Sequence, residues 1–194
     1  MPKIVDHEER KKKIAKVIWE IIENDGIEEA SIRKISAKAN ISTGQLRHYF
    51  STQDEILIFI VDYYLDKGKI RAIQKNRKGS TLKIIKDIFL EIIPVDKDRK
   101  IETQLWFVLV IRSLTNNVYK NKVEEMNQGT YDLTAAMIDL LIEEKGEKSA
   151  INKDIEIYKL SALIEGLAFH SLIKPEIYNE KFISQILIDY LEKI

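Results

Sequence analysis

Cysteine is absent from the 194 residues. The chain therefore has no disulfide framework, no thiolate nucleophile and no sulfur-ligated zinc or iron–sulfur site, and a reducing cytoplasm is the expected setting. Glycine and proline are scarce, at 7 and 3 residues, which removes collagen-like and linker-like classes. Long apolar runs are missing too. The longest, Leu105 to Ile111, has seven residues against the ~20 that a spanning helix needs, and the N-terminus begins with Lys, Asp, His and Glu instead of an apolar export signal. No membrane partner is expected. Histidine occurs only at His7, His48 and His170, never in His-x-x-x-His spacing, and there is no glycine-rich phosphate loop or Gly-x-Ser-x-Gly elbow. The sequence points to no metal, no cofactor and no enzyme.

What is present is charge, balanced overall and uneven along the chain. The 31 basic and 31 acidic residues cancel. Residues 1–78 carry 16 Lys/Arg against 12 Asp/Glu, whereas residues 79–194 carry 15 against 19. The N-terminal excess is small enough for an ordinary solvated surface, and it is also the sign that a nucleic-acid partner requires.

Apolar positions recur at helical spacing almost throughout. Ile14, Val17, Ile18, Ile21 and Ile22 share one face of a first helix, which is entered through the charged run Glu8 to Lys13 and stops at Asn24-Asp25-Gly26. Ser31 reads as the N-cap of a short second helix ending near Asn40, and Ser42 as the cap of a third reaching Phe50. Ser51 caps a fourth that continues toward Lys78. Further helices are predicted at 81–93, 98–116, 119–145, 154–173 and 179–193, with Pro94 and Pro175 as stops. Nothing reads as a strand. The fold class is all-α with about nine helices.

Two short helices joined by a tight turn form a helix-turn-helix, here Ser31 to Phe50. With Leu46 inward, the ~100° step per residue turns Gly44 and His48 outward and sets Gln45 and Arg47 on the flanks. Gly44 permits close backbone approach. Gln45 matches adenine N6/N7, and Arg47 matches guanine O6/N7. Ser42 and Thr43 offer hydroxyls and backbone N–H groups to a phosphate. The alternative is a helical hairpin packed by Ile32, Ile35, Ile41, Leu46 and Phe50, with a polar side that is merely wet.

Ser31-Ile32-Arg33-Lys34-Ile35-Ser36, Ala39-Asn40-Ile41-Ser42-Thr43-Gly44-Gln45-Leu46 and His48-Tyr49-Phe50 resemble the TetR family of bacterial transcription regulators. Leu46-Arg47-His48-Tyr49-Phe50 looks like the variant of its BetI-like branch. The resemblance is strong over residues 10–60 and lies in length and helix layout beyond. It implies a homodimer with an N-terminal helix-turn-helix domain, residues 1–52, and a larger ligand-binding and dimerisation domain, residues 53–194. It implies DNA contacts from Ser31, Arg33, Ser42, Thr43, Gly44, Gln45, Arg47, His48, Tyr49 and Gln53, with His48 and Tyr49 on phosphates. Asn40 stands where glycine is usual in the turn, and asparagine tolerates the left-handed conformation. Arg47 replaces a common aromatic, and Gln53 replaces a frequent phosphate-contacting lysine, for which Lys3 and Arg10 to Lys13 are candidate compensation. The function so implied is a ligand-responsive regulator, a repressor, released from a palindromic operator in double-stranded DNA by a small-molecule inducer. A constitutive DNA-binding regulator or activator, and a helical ligand carrier, are the alternatives.

In the C-terminal part, Leu105 to Ile111 is apolar all round and belongs to a helix buried on several sides. Trp106 and Phe107 either line a cavity or fill core. Phe89, Met126, Tyr131, Met137 and Phe169 are candidates to join them by inward spacing. Glu165 and His170 are polar residues in the most apolar part of the eighth helix. A carboxylate there serves a cationic inducer, caps a partner helix or joins an intersubunit ion pair. The resemblance implies a dimer seam on the last two helices, with Ile164, Gly166, Leu167, Phe182, Ile186 and Leu187 as its candidates.

Overall fold

A computed structural model describes residues 7–74, 78–146 and 152–194. Its helices are α1 (His7–Asp25), α2 (Ile32–Lys38), α3 (Thr43–Tyr49), α4 (Gln53–Gln74), α5 (Thr81–Phe89), α6 (Lys97–Ser113), α7 (Asn117–Lys145), α8 (Lys153–Ile173) and α9 (Glu180–Lys193), with a 3-10 turn at Ile27–Glu29. No strand occurs among the described residues. The chain is all-α, as its periodicity predicts.

The chain forms two compact units, Met1–Asp66 and Lys67–Ile194. The division falls later than the 52/53 boundary expected from sequence. Ile56, Leu57, Ile60, Val61 and Tyr64 on the first half of α4 are buried. Tyr64 stacks on Trp19 of α1 with ring centroids 3.6 Å apart, and Phe59 meets Phe50 at 4.9 Å. These contacts make the start of α4 part of the first unit. α4 is capped by Thr52, whose hydroxyl accepts from Glu55 N–H at 3.1 Å, and Ser51 instead donates its N–H to the Glu55 carboxylate. The expected cap is thus one residue early. The charged run before Ile14 lies within α1, because Glu and Lys are good helix formers once a buried face anchors them.

In the second unit α5 ends at Phe89, ahead of Pro94. Glu91 N–H donates to Ile88 and Ile92 N–H to Phe89, both at 3.0 Å, so the chain tightens into turns that bury Glu91 and Ile93. α5, α7, α8 and α9 enclose a core of Ile85, Phe89, Ile138, Leu160, Ile164 and Leu187 among others. Within it Thr134 is buried with its hydroxyl donating to Thr130 O at 2.8 Å and accepting from Ser161.

Charged groups tie α4, the α5–α6 connection and α6 together. Glu91, with a side chain only 4% exposed, lies 3.2 Å from Arg71 Nε and 3.6 Å from an Arg99 nitrogen. Arg71 also forks onto Glu102, with Nη2 2.9 Å from Oε2 and Nη1 3.2 Å from Oε1. The hydrogen bond to Glu102 is the chief cause that raises the Arg71 pKa. Arg99 is further held by Asp96, the N-cap of α6, at 2.9 Å. Burial alone would raise the Asp96 pKa, but its hydrogen bonds from Arg99 outweigh it and hold the carboxyl below its ordinary value. Removing one member of such a set leaves buried charge uncompensated, which is more damaging than losing an exposed pair. Glu91→Gln is expected to destabilise the second unit by about 3 kcal/mol in denaturant unfolding. Lys193→Ala, which removes the exposed pair with Asp189, is expected to leave stability unchanged.

Candidate nucleic-acid interface

The turn between α2 and α3 is built by backbone geometry. Asn40 has φ +52°, the one positive φ outside glycine among the described residues. Its N–H donates to Ala37 O at 3.2 Å, and Ile41 N–H reaches back to Ser36 O at 3.0 Å. This pair of bonds is the Schellman arrangement, which closes a helix through a left-handed residue. Asparagine therefore does the work expected of the usual glycine. α3 then starts from a capping box: Ser42 Oγ accepts from Gln45 N–H at 3.0 Å while Gln45 Oε1 accepts from Ser42 N–H at 2.9 Å.

Leu46 is fully buried and Phe50 nearly so, so the inward direction of α3 is the one its spacing predicts. Thr43, Gly44, Gln45, Arg47 and His48 are exposed, and Tyr49 is half-buried with the His48 ring edge-on to it at 5.8 Å. A Cβ added at Gly44 would meet only Ser42 Oγ, at 3.8 Å. No packing among the described residues requires glycine there, and the missing side chain leaves the backbone of α3 open at this point. Gln45 departs from expectation. Its carbonyl oxygen accepts from Ser42 N–H in the cap, which turns the acceptor end of the amide toward the start of its own helix.

Positive charge near the interface is partly spoken for. Lys34 lies 3.2 Å from Asp25 and 2.9 Å from Glu29, and Lys38 lies 3.3 Å from Glu20. Arg33 and Arg47 are exposed, as are Arg10, Lys12 and Lys13 on α1 and Gln53 at the start of α4. Among the described residues Arg47 has no ion pair, so its guanidinium is available to a base or phosphate. Ser31 caps α2 by accepting from Lys34 N–H at 3.3 Å. Lys3 lies outside the described residues.

The C-terminal candidates divide by burial. Phe89 and Met137 are buried in the core cluster that α5, α7, α8 and α9 share. Ile164, Leu167 and Leu187 are likewise buried within their own chain, so they are unavailable to a partner. Gly166 and Ile186 are half-exposed and Phe182 is exposed. α8 is apolar nearly all round, and periodicity therefore could not say which side is core. The outward line of α8 runs through Ile155, Ala162, Gly166 and Ile173 instead. A Cβ at Gly166 would meet nothing within 4 Å. Trp106, Phe107 and Tyr131 are half-buried. Phe107 meets Phe169 edge-on at 5.4 Å, Tyr131 lies 5.6 Å from Tyr158, and His170 stacks on Tyr178 at 5.1 Å. Glu165 and His170 are exposed, not embedded. Partial burial still raises the Glu165 carboxyl above its usual pKa by desolvation.

Residues 84–194 match the family model for the C-terminal region of BetI-type transcriptional repressors of the TetR class. The whole chain aligns with the HTH-type transcriptional regulator PksA of Bacillus subtilis, 34% identical over 196 residues and covering 94% of that protein. It also aligns with the HTH-type transcriptional regulator BetI of Vibrio parahaemolyticus, 24% identical and covering 96%. The fold matches a Saccharomonospora viridis protein, described as a transcriptional regulator and solved in complex with choline, at TM-score 0.82 and 18% identity, over 95% of this chain and 96% of that one. The chain belongs to the TetR family of transcriptional regulators.

Among the described residues of the first unit, one buried side-chain group has no hydrogen-bond partner. Ser36, at the centre of α2, is buried and its hydroxyl makes no hydrogen bond. An unsatisfied buried hydroxyl costs about 1–3 kcal/mol, part of which the small methyl of alanine recovers. Ser36→Ala is expected to raise the stability of the first unit by about 1 kcal/mol in chemical denaturation, with DNA affinity unchanged.

Proposed function

We propose that the chain is a ligand-responsive repressor that binds a palindromic operator as a homodimer and is released by a small-molecule inducer. The observation that carries this reading is the outer face of α3, where Gly44, Arg47 and His48 are exposed around a buried Leu46. A helix of this form fits the major groove, and two copies one helical turn apart, ~34 Å, match successive grooves. The outward line of α8, with Phe182 and Ile186 on α9, supplies apolar surface for pairing two chains. Similarity to BetI-type repressors supports the repressor role.

For the inducer, an organic cation is the favoured class. Glu165 makes no ion pair among the described residues, and one turn on, Phe169 presents its ring beside Phe107. Carboxylate and aromatic faces together suit a quaternary ammonium group, and a structural neighbour holds choline. An inducer acts by binding one conformer better than the other, so its differential affinity sets the response.

Anisotropy titration of the DNA beside its own coding region tests the reading. Binding is expected to weaken steeply with salt, and choline is expected to release the DNA. Arg47→Ala is expected to weaken specific binding by about 1–3 kcal/mol and to relax preference at one operator position, whereas replacing Lys12 and Lys13 is expected to weaken all sequences alike and flatten the salt slope. Salt-dependent binding indifferent to every small molecule would favour a constitutive regulator. Absence of DNA binding would favour a ligand carrier.

A further inference from the structure

Glutamine usually reads adenine with both ends of its amide, the oxygen accepting from N6–H and the nitrogen donating to N7. In this chain the two ends are not equivalent. Gln45 Oε1 lies 2.9 Å from Ser42 N as one half of the capping box, and the other half, Gln45 N to Ser42 Oγ, is 3.0 Å. A backbone N–H bonds to the oxygen of an amide and not to its NH2 group, so this contact fixes which end is which. The oxygen is turned toward the start of its own helix. The Nε2 group remains on an exposed side chain with two N–H donors, while the oxygen of the same amide is held by the cap.

We propose that Gln45 reads guanine and not adenine, through Nε2 alone, an assignment that rests on the DNA-reading function proposed above. Guanine presents O6 and N7 to the major groove, both acceptors, and so satisfies both N–H groups. Adenine offers N7 but sets its own N6–H2 donor beside it, where Nε2 has nothing to accept with. Ser42 thus acts as a positioning residue: it caps the helix and also decides which hydrogen-bonding face Gln45 shows to DNA.

Selection from a random duplex library with the full-length wild-type chain, Gln45→Ala and Gln45→Glu tests this. Gln45→Ala is expected to flatten preference at one position of each half-site and thereby to identify it. At that position the wild type is expected to select guanine, with adenine weakening binding about 10-fold. Glutamate keeps the cap, since one carboxylate oxygen accepts from Ser42 N–H while the other accepts from cytosine N4–H. Gln45→Glu is therefore expected to keep the wild-type melting temperature and to switch the preference to cytosine, leaving other positions unaltered. Adenine selected by the wild type at that position overturns the assignment even if the glutamate variant fails to fold. An unchanged base preference in folded Gln45→Glu, or no position flattened by Gln45→Ala, also overturns it. A wild-type chain that enriches no sequence contradicts the DNA-reading function itself, and the assignment falls with it.

Discussion

The left-handed backbone at Asn40 sets the direction in which α3 leaves α2, and the side chains proposed to read DNA take their orientation from it. The φ of +52° lets Asn40 and Ile41 return their N–H groups to Ala37 and Ser36, closing α2 within two residues. Ser42 is thereby free to open α3 at once, and Leu46 falls into the core. If the turn took an ordinary right-handed conformation, α2 would continue and α3 would lose its cap. Arg47 and His48 would then have no fixed outward face.

A second constraint shapes the other unit. Glu91 is almost wholly removed from water and is held by Arg71 and Arg99. Arg71 belongs to the last turns of α4, Glu102 to α6, and Arg99 also holds the cap residue of α6. The end of α4 is therefore fixed to α6 by directed charge–charge hydrogen bonds and not by apolar packing alone. Such bonds require geometry as well as proximity, so they specify how these elements meet. The core of α5, α7, α8 and α9 supplies the bulk of burial, while the polar set supplies registration.

Helix number and order were legible because each signal was local. Ser31, Ser42, Asp96, Asn116, Asn152 and Asn179 cap helices in the structure, and the apolar period shows between those caps. The inward Leu46 and the outward Gly44 and His48 followed from that period alone. What was not legible depends on tertiary partners. α8 is apolar on most sides, so Ile164 and Leu167 looked as fit for a seam as for a core. Phe89 and Met137 carried no sign of how deeply the neighbouring helices bury them. The end of α5 was obscured by its continuing apolar run, which the turn bonds of Glu91 and Ile92 interrupt. The role of the Gln45 oxygen was in principle readable, since Ser42 and Gln45 stand three apart as in a capping box, but side-chain chemistry alone allows both uses.

The central claim is tested most directly by the position that turns the chain. Asn40→Gly and Asn40→Val should be compared by melting and by operator titration. Glycine accepts positive φ freely, so it is expected to match or exceed the wild type in both. A β-branched residue is a true outlier there, and Asn40→Val is expected to lose at least about 1–2 kcal/mol from the first unit and to lose specific DNA binding, while the second unit stays folded. A valine variant that binds the operator as the wild type does would contradict the account.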